Sequence, residues 1–96
     1  MSRLEINSII LDYLKVYNPQ LIGLFGSYAR KENTKRSDID ILIRFRDSVS
    51  LLQLLRIENE LSDKLGIKVD LITEGSIKND RIKESIKNDL QIIFQA

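Results

Sequence analysis

Three aspartates sit where apolar strands would not ordinarily carry them: Asp38 and Asp40, two residues apart in SDIDILI, and Asp70 in the middle of IKVDLI. An unpaired carboxylate buried in a segment such as IKVDLI is costly, so something should compensate Asp70. Residues two apart in a strand project from one face with roughly 7 Å between their backbones, so Asp38 and Asp40 present their carboxylates side by side. That spacing suits gripping one cation or ligating two. Asp70 alternates with Val69 and Leu71 and so faces away from the apolar side of its strand. If the two strands are neighbours, three carboxylates converge, and their repulsion raises one another's proton affinity unless a divalent cation neutralises them. Bare, the cluster is a poor structural element; with a cation, it is a metal site.

A metal site built of carboxylates calls for a substrate with phosphate, and Gly26-Ser27, directly after an apolar run, supplies the other half. Gly lets a backbone approach an anion closely, Ser27 adds a hydroxyl donor, and a helix beginning there aims N–H groups at phosphate. Taken singly, each feature has a plain reading: Gly-Ser after a strand is a common turn, and Asp-x-Asp is commonly solvated surface. Their combination points to two-ion phosphoryl chemistry. In that scheme Asp38 and Asp40 bridge both ions, while Asp70 joins the acceptor-side ion and helps take the acceptor's proton. Arg30, one helical turn after Ser27, is in reach of a triphosphate with its planar fork. Lys31 and Lys35 read as solvated loop and Tyr28 as packing under the turn. Arg44 shares the face of the two aspartates and suits either an ion pair or a phosphate contact.

The elements that must position these groups follow from capping and periodicity. Ser2 and Glu5 make a capping-box pair ahead of Ile6, Ile9, Ile10, Tyr13, Leu14 and Tyr17 at helical spacing, and Pro19 stops that helix at Asn18. The run 20–25 fits a buried strand, 27–32 a short helix and 33–36 a polar loop. From Ser37 the pattern has period two: Ile39, Ile41, Ile43 and Phe45 face one way, Asp38, Asp40, Leu42 and Arg44 the other. Ser50 and Gln53 repeat the capping spacing, and the stripe Leu51, Leu54, Leu55, Glu58, Leu61, Leu65 predicts a helix over 50–65 ending at Gly66. Ile67, Val69 and Leu71 mark a third strand and 74–76 a turn. The segment 77–89 predicts a surface helix with a narrow stripe at Ile82, Ile86 and Leu90, its charges forming a solvated face. The tail 90–94 is expected to form a last short strand. This order implies one domain over 1–96 of the α/β (α+β) class, a small mixed β-sheet with helices packed on it.

Composition removes several chemistries. With no Cys and no His, the chain has no disulfide, thiolate nucleophile, imidazole base or usual zinc site. Catalysis must rest on carboxylates, hydroxyls, Lys, Arg, backbone dipoles and a hard cation. A formal net charge of +1 gives no overall attraction to nucleic acid or anionic lipid, so no direct nucleic-acid binding is expected. No basic segment leads into a long apolar run, which makes a cytoplasmic location without a membrane the default expectation.

The run GSYARKENTKRSDIDILI (26–43), followed by VDLI (69–72), resembles the minimal nucleotidyltransferase (MNT) group of the DNA polymerase beta superfamily. That signature is Gly-Ser, a short basic helix with an Arg, then Ser-Asp-x-Asp, then a third acidic residue on a later strand. Gly26, Ser27, Arg30, Ser37, Asp38, Asp40 and Asp70 match it position by position. The resemblance implies a nucleotidyltransferase fold, Mg²⁺-dependent (or Mn²⁺-dependent) use of ATP or another nucleoside triphosphate, and metal binding and catalysis at Asp38, Asp40 and Asp70. It also implies nucleotide contacts at Gly26, Ser27, Arg30 and Ser37. The chain reads as little more than a catalytic core, so something else should supply the acceptor surface. In the group it resembles, the partner is typically a small helical HEPN toxin, and the nucleotidyltransferase acts as antitoxin by transferring AMP to a tyrosine of it. Two alternatives stay open: a silent module that neutralises its partner by occlusion, and nucleotidylation of a small hydroxylated molecule.

Overall fold

The computed structural model describes residues 2–34, 37–77 and 79–96, with Ser76 by its backbone alone. Helix α1 (Arg3–Leu14) begins with the reciprocal cap its sequence predicts, the Ser2 hydroxyl accepting the Glu5 N–H and the Glu5 carboxylate accepting that of Ser2. A 3₁₀ turn (Lys15–Tyr17) carries the chain to Asn18, whose φ of 53° is left-handed, and the helical path ends there ahead of Pro19. Then come β1 (Pro19–Phe25), the single-turn helix α2 (Ser27–Arg30), β2 (Ile39–Phe45), α3 (Leu51–Leu65) and β3 (Val69–Thr73). A second 3₁₀ turn (Glu74–Ser76), α4 (Asp80–Asp89) and β4 (Gln91–Gln95) complete the fold. The expected last strand is present, one residue further on. The loop expected over 33–36 falls partly outside the described residues, at Lys35 and Arg36.

The strands form one mixed sheet ordered β3-β2-β1-β4, with β1 antiparallel to both β2 and β4, and β2 parallel to β3. Parallel neighbours need a crossover connection, which is α3. Strand alternation then assigns each face. Ile22, Leu24, Ile39, Ile41, Ile43 and Val69 pack with Ile6, Ile10 and Leu14 of α1 and Ile57, Leu61 and Leu65 of α3 to make the main core. Leu21, Phe25 and Leu42 line the reverse face, against which Ile72 and the Ile82, Ile86, Leu90 stripe of α4 pack. Gly23 permits that arrangement, since a Cβ there would stand 2.5 Å from Leu90 Cδ1 where the chain passes from α4 into β4.

The stripe predicted for α3 needs correcting. Leu51 and Leu55 are 72% and 46% exposed, whereas Ile57, absent from the predicted stripe, is fully buried. At roughly 100° per residue, Leu55 lies more than a right angle away from the line Ile57, Leu61, Leu65 that meets the sheet, and Leu51, roughly 80° away, is the first residue of the helix. Glu58 keeps its place on the packed side because its carboxylate has a backbone partner. β3 is an edge strand, and its outward N–H groups are satisfied from α3: Val69 donates to Ser62 Oγ at 2.9 Å and Leu71 to Glu58 Oε2 at 2.7 Å. Two side chains one helical turn apart thus close the edge that carries Asp70. Among the described residues, no helix is long and apolar enough to cross a membrane.

Ser62→Ala should leave the N–H of fully buried Val69 without its acceptor and cost about 1–3 kcal/mol. The expected readout is a lower urea midpoint at unchanged slope. An unshifted midpoint would mean that this bond adds nothing to the edge.

Candidate active site

The parallel pairing of β2 and β3 sets Asp40 directly opposite Asp70, one position on from Ile39 opposite Val69. Ile39 and Val69 point into the main core, so the two carboxylates emerge on the other face, the one that carries α4. Asp38, just ahead of β2, completes the group. The strand adjacency on which the sequence made that convergence conditional is therefore present for Asp40 and Asp70, and the charge of Asp38 reaches both. The Lys68 ammonium bridges its open side, 3.9 Å from Asp38 Oδ2 and 3.9 Å from Asp70 Oδ1.

Electrostatics bear the marks of this crowding. Burial pushes the Asp40 carboxyl up to about 6, the charges of Asp70 and Asp38 add to the rise, and the Arg30 charge opposes it. Asp70 is also raised, first by burial and further by Asp38, against the lowering effect of Lys68. Gly26 fixes the other side of Asp40. Phe25 pairs with Asp40 across the sheet, so the turn that follows lies against the carboxylate. Gly26 has a φ of 76°, and a Cβ built there would overlap Asp40 Oδ2. Two independent reasons, a left-handed backbone and an occupied volume, thus require glycine.

The remaining predicted residues are placed as follows. Ser27 begins α2, and its hydroxyl has no partner among the described residues. Because α2 is a single turn, what it offers an anion is a few backbone N–H groups and not a sizeable helix dipole. Ser37 holds the approach to β2, its Oγ accepting the Thr34 N–H at 2.8 Å while its own N–H donates to the Thr34 carbonyl. Arg30 is engaged: Nε donates to Glu32 at 3.0 Å and Nη1 to Asp89 at 2.6 Å. Arg44 takes the ion-pair alternative, with two bonds to Glu74 at 2.7 and 3.2 Å. Tyr28 is buried in the main core, as the packing reading has it.

A cleft of about 460 Å³ opens between the carboxylates and α4, lined by Phe25, Asp40, Glu58, Asp70, Leu71, Ile72, Arg81, Ile82 and Ser85. Its size lies within the range of roughly 300–1,000 Å³ usual for small-molecule sites. Glu58, Arg81 and Ser85 were not anticipated as site residues. A carboxylate inside the apolar stripe of α3 was a signal for Glu58; nothing local distinguishes Arg81 within a charged helix. Among the described residues, no three acidic side chains are gathered closely enough to enclose an ion. The donor chemistry nevertheless fits a hard divalent cation: carboxylate oxygens alone, two of the three groups carrying raised proton affinity through burial and mutual repulsion.

The pH dependence follows from the direction of the Asp40 shift. A carboxyl raised on folding binds more protons folded than unfolded, so its stabilising effect is complete below the unfolded value and is lost as pH rises through about 6. Without divalent cations, Asp40→Asn should be more stable than the parent at pH 7.5 by about 1 kcal/mol after screening at this half-buried site, or roughly 5 °C in Tm. The difference should vanish at pH 4, and added Mn²⁺ should raise the Tm of the parent but not of the variant. A parent whose Tm is flat from pH 4 to 7.5 would contradict the crowded-carboxylate picture.

Comparison with known proteins gives the site its context. The profile of the family described as nucleotidyltransferase domain matches residues 6–93. A protein of Methanocaldococcus jannaschii, provisionally named a protein adenylyltransferase, is 51% identical over 90 residues, covering 90% of this chain and 92% of that one. A crystal structure of a toxin-antitoxin with AMP-PNP has a TM-score of 0.82 at 24% identity, over 94% of this chain and 73% of the other. A structure of a tri-AMPylated Shewanella oneidensis HEPN toxin in complex with its MNT antitoxin gives 0.78 at 22% identity, over 99% and 74%. At those identities the two structures establish the fold; the sequence match over nearly the whole chain establishes the family. With its Gly-Ser turn lying against Asp40, and Asp40 opposite Asp70 on the sheet, the chain belongs to the nucleotidyltransferase-domain family, as a minimal nucleotidyltransferase.

Proposed function

We propose that this chain transfers AMP from ATP to a tyrosine hydroxyl of a small helical HEPN-type partner, and that it acts in the cytoplasm as the partner's antitoxin. The observation that carries the reading is the strand register that puts Asp40 opposite Asp70 and against the Gly26 turn. Acceptor and nucleotide subsites then share one group of carboxylates. The partner and the transferred group are suggested by the relatives: one is an antitoxin found with an AMPylated HEPN toxin, another a toxin-antitoxin with AMP-PNP.

Asp38, Asp40 and Asp70 are the residues to hold Mg²⁺ or Mn²⁺, which when bound supplies charge neutralisation and acidifies an acceptor hydroxyl. The chain's own groups do the rest. The Ser27 hydroxyl and the N–H groups of its turn meet the triphosphate, at a place where Gly26 lets the backbone come close. Asp70, at the edge of the cleft and with raised proton affinity, is suited to receive the proton leaving the acceptor hydroxyl. Leu71 N–H, bonded to Glu58, keeps the strand carrying that carboxylate in place.

The test is transfer of label from α-³²P-ATP to a purified HEPN-type protein, with Mg²⁺ present. Labelling is expected, falling at least about 100-fold in Asp38→Asn with complex formation unchanged. Gly26→Ala should fall comparably, because its Cβ displaces the Asp40 carboxylate. Absence of labelling, together with an Asp40→Ala chain that still neutralises its partner, would establish occlusion in place of catalysis.

A further inference from the structure

Among the described cations around Asp40 and Asp70, Arg81 has no ion-pair partner within the described residues. Arg30 is engaged by Glu32 and Asp89, and Lys68 by Asp38 and Asp70. Arg81 lines the same cleft as Asp40 and Asp70, and among the described residues no carboxylate lies within ion-pair distance of its guanidinium. Its backbone is well anchored. The Asn79 side chain accepts the Arg81 N–H at 2.8 Å as the cap of α4, and Ile82 and Ile86 pack on the sheet, fixing which way the helix faces. An exposed arginine beside two aspartates would ordinarily collapse onto one of them. Here Lys68 is in ion-pair contact with Asp38 and Asp70, and Arg81 lines the open cleft.

We propose that Arg81 binds the phosphates of the nucleoside triphosphate from the α4 side of the cleft, the part that the sequence assigns to Arg30. The inference rests on the nucleotidyl-transfer reading and deepens it. A triphosphate brings more negative charge than the turn at Ser27 can meet, and a guanidinium offers two parallel donors to one phosphate group. Arg30 has committed two of its nitrogens to carboxylates, and freeing it would break the tie between α2 and α4. Arg81 would give up no ion pair on binding.

Equilibrium binding of AMP-PNP and of adenosine to the full chain, both at fixed Mg²⁺, tests this. Arg81→Ala should weaken AMP-PNP binding about tenfold or more and leave adenosine unchanged. Arg81→Lys should fall between, since it keeps the charge and loses the fork. Lys83→Ala, removing an exposed charge on the same helix, should match the parent for both ligands. Equal loss of both ligands in Arg81→Ala, equal loss in Lys83→Ala, or no loss in either Arg81 variant would overturn the assignment while leaving nucleotide binding itself intact. A parent chain that binds no AMP-PNP would take down the nucleotidyl-transfer reading, and the role of Arg81 with it.

Discussion

Everything in this small fold turns on keeping three like charges close together. β2 and β3 run parallel in a register that leaves Asp40 no neighbour other than Asp70 across the strand pair, and Asp38 stands two residues earlier on the same side. Repulsion among them is felt in the raised proton affinities of Asp40 and Asp70. Among the described residues it is opposed by Lys68 and, at longer reach, by Arg30. A sheet assembled for stability alone would not place them so, and the rest of the chain holds the arrangement together.

That support comes from both layers. On one face, α1 and α3 bury the isoleucines of β2 and Val69 of β3, which fixes the strands carrying the aspartates. α3 also reaches round the edge of the sheet, where Ser62 and Glu58 accept the outward N–H groups of β3. An edge strand satisfied in this way has little freedom to slip, and a slip of one residue would turn Asp70 into the core. On the other face, α4 covers Leu21, Phe25 and Leu42 but stops short of the aspartates. The cleft is the part of that face the helix leaves open. Arg30 to Asp89, and the Gln91 amide to the Ala29 carbonyl, tie the α4 and β4 segment back to the turn beside the aspartates.

Local chemistry was legible in the sequence where it depends on local geometry. Alternation from Ser37 located β2 and both faces of it, the Ser2 and Ser50 caps fell where predicted, and Asn18 ended the first helical segment. The meeting of Asp70 with Asp40 could be stated only as a condition, because strand adjacency depends on a crossover that no window of residues records. The α3 stripe failed at its first turns: leucine content pointed to Leu51 and Leu55, while the sheet took Ile57. Arg30 shows what local reading leaves out: its position one turn from Ser27 is visible in the sequence, but its ion pair with Asp89 joins it to a residue 59 positions away. Arg81 escaped notice for the converse reason, since what sets it apart is that it has no ion-pair partner among the described residues where Arg30 and Lys68 do.

Gly26 explains why the turn and the carboxylates behave as one unit and not as two motifs that happen to be near. Its left-handed φ allows the abrupt change from β1 into α2, which any side chain would resist. The space its missing Cβ leaves is occupied by the Asp40 carboxylate, so the same absence that makes the turn also seats the acid. A phosphate brought near the N–H groups of that turn is thereby brought near Asp40, without any loop having to close over it. The consequence is that the fold itself holds the turn and Asp40 together. What the fold spends on holding like charges together is offset by burial in the main core, on the face of the sheet where no charge is placed.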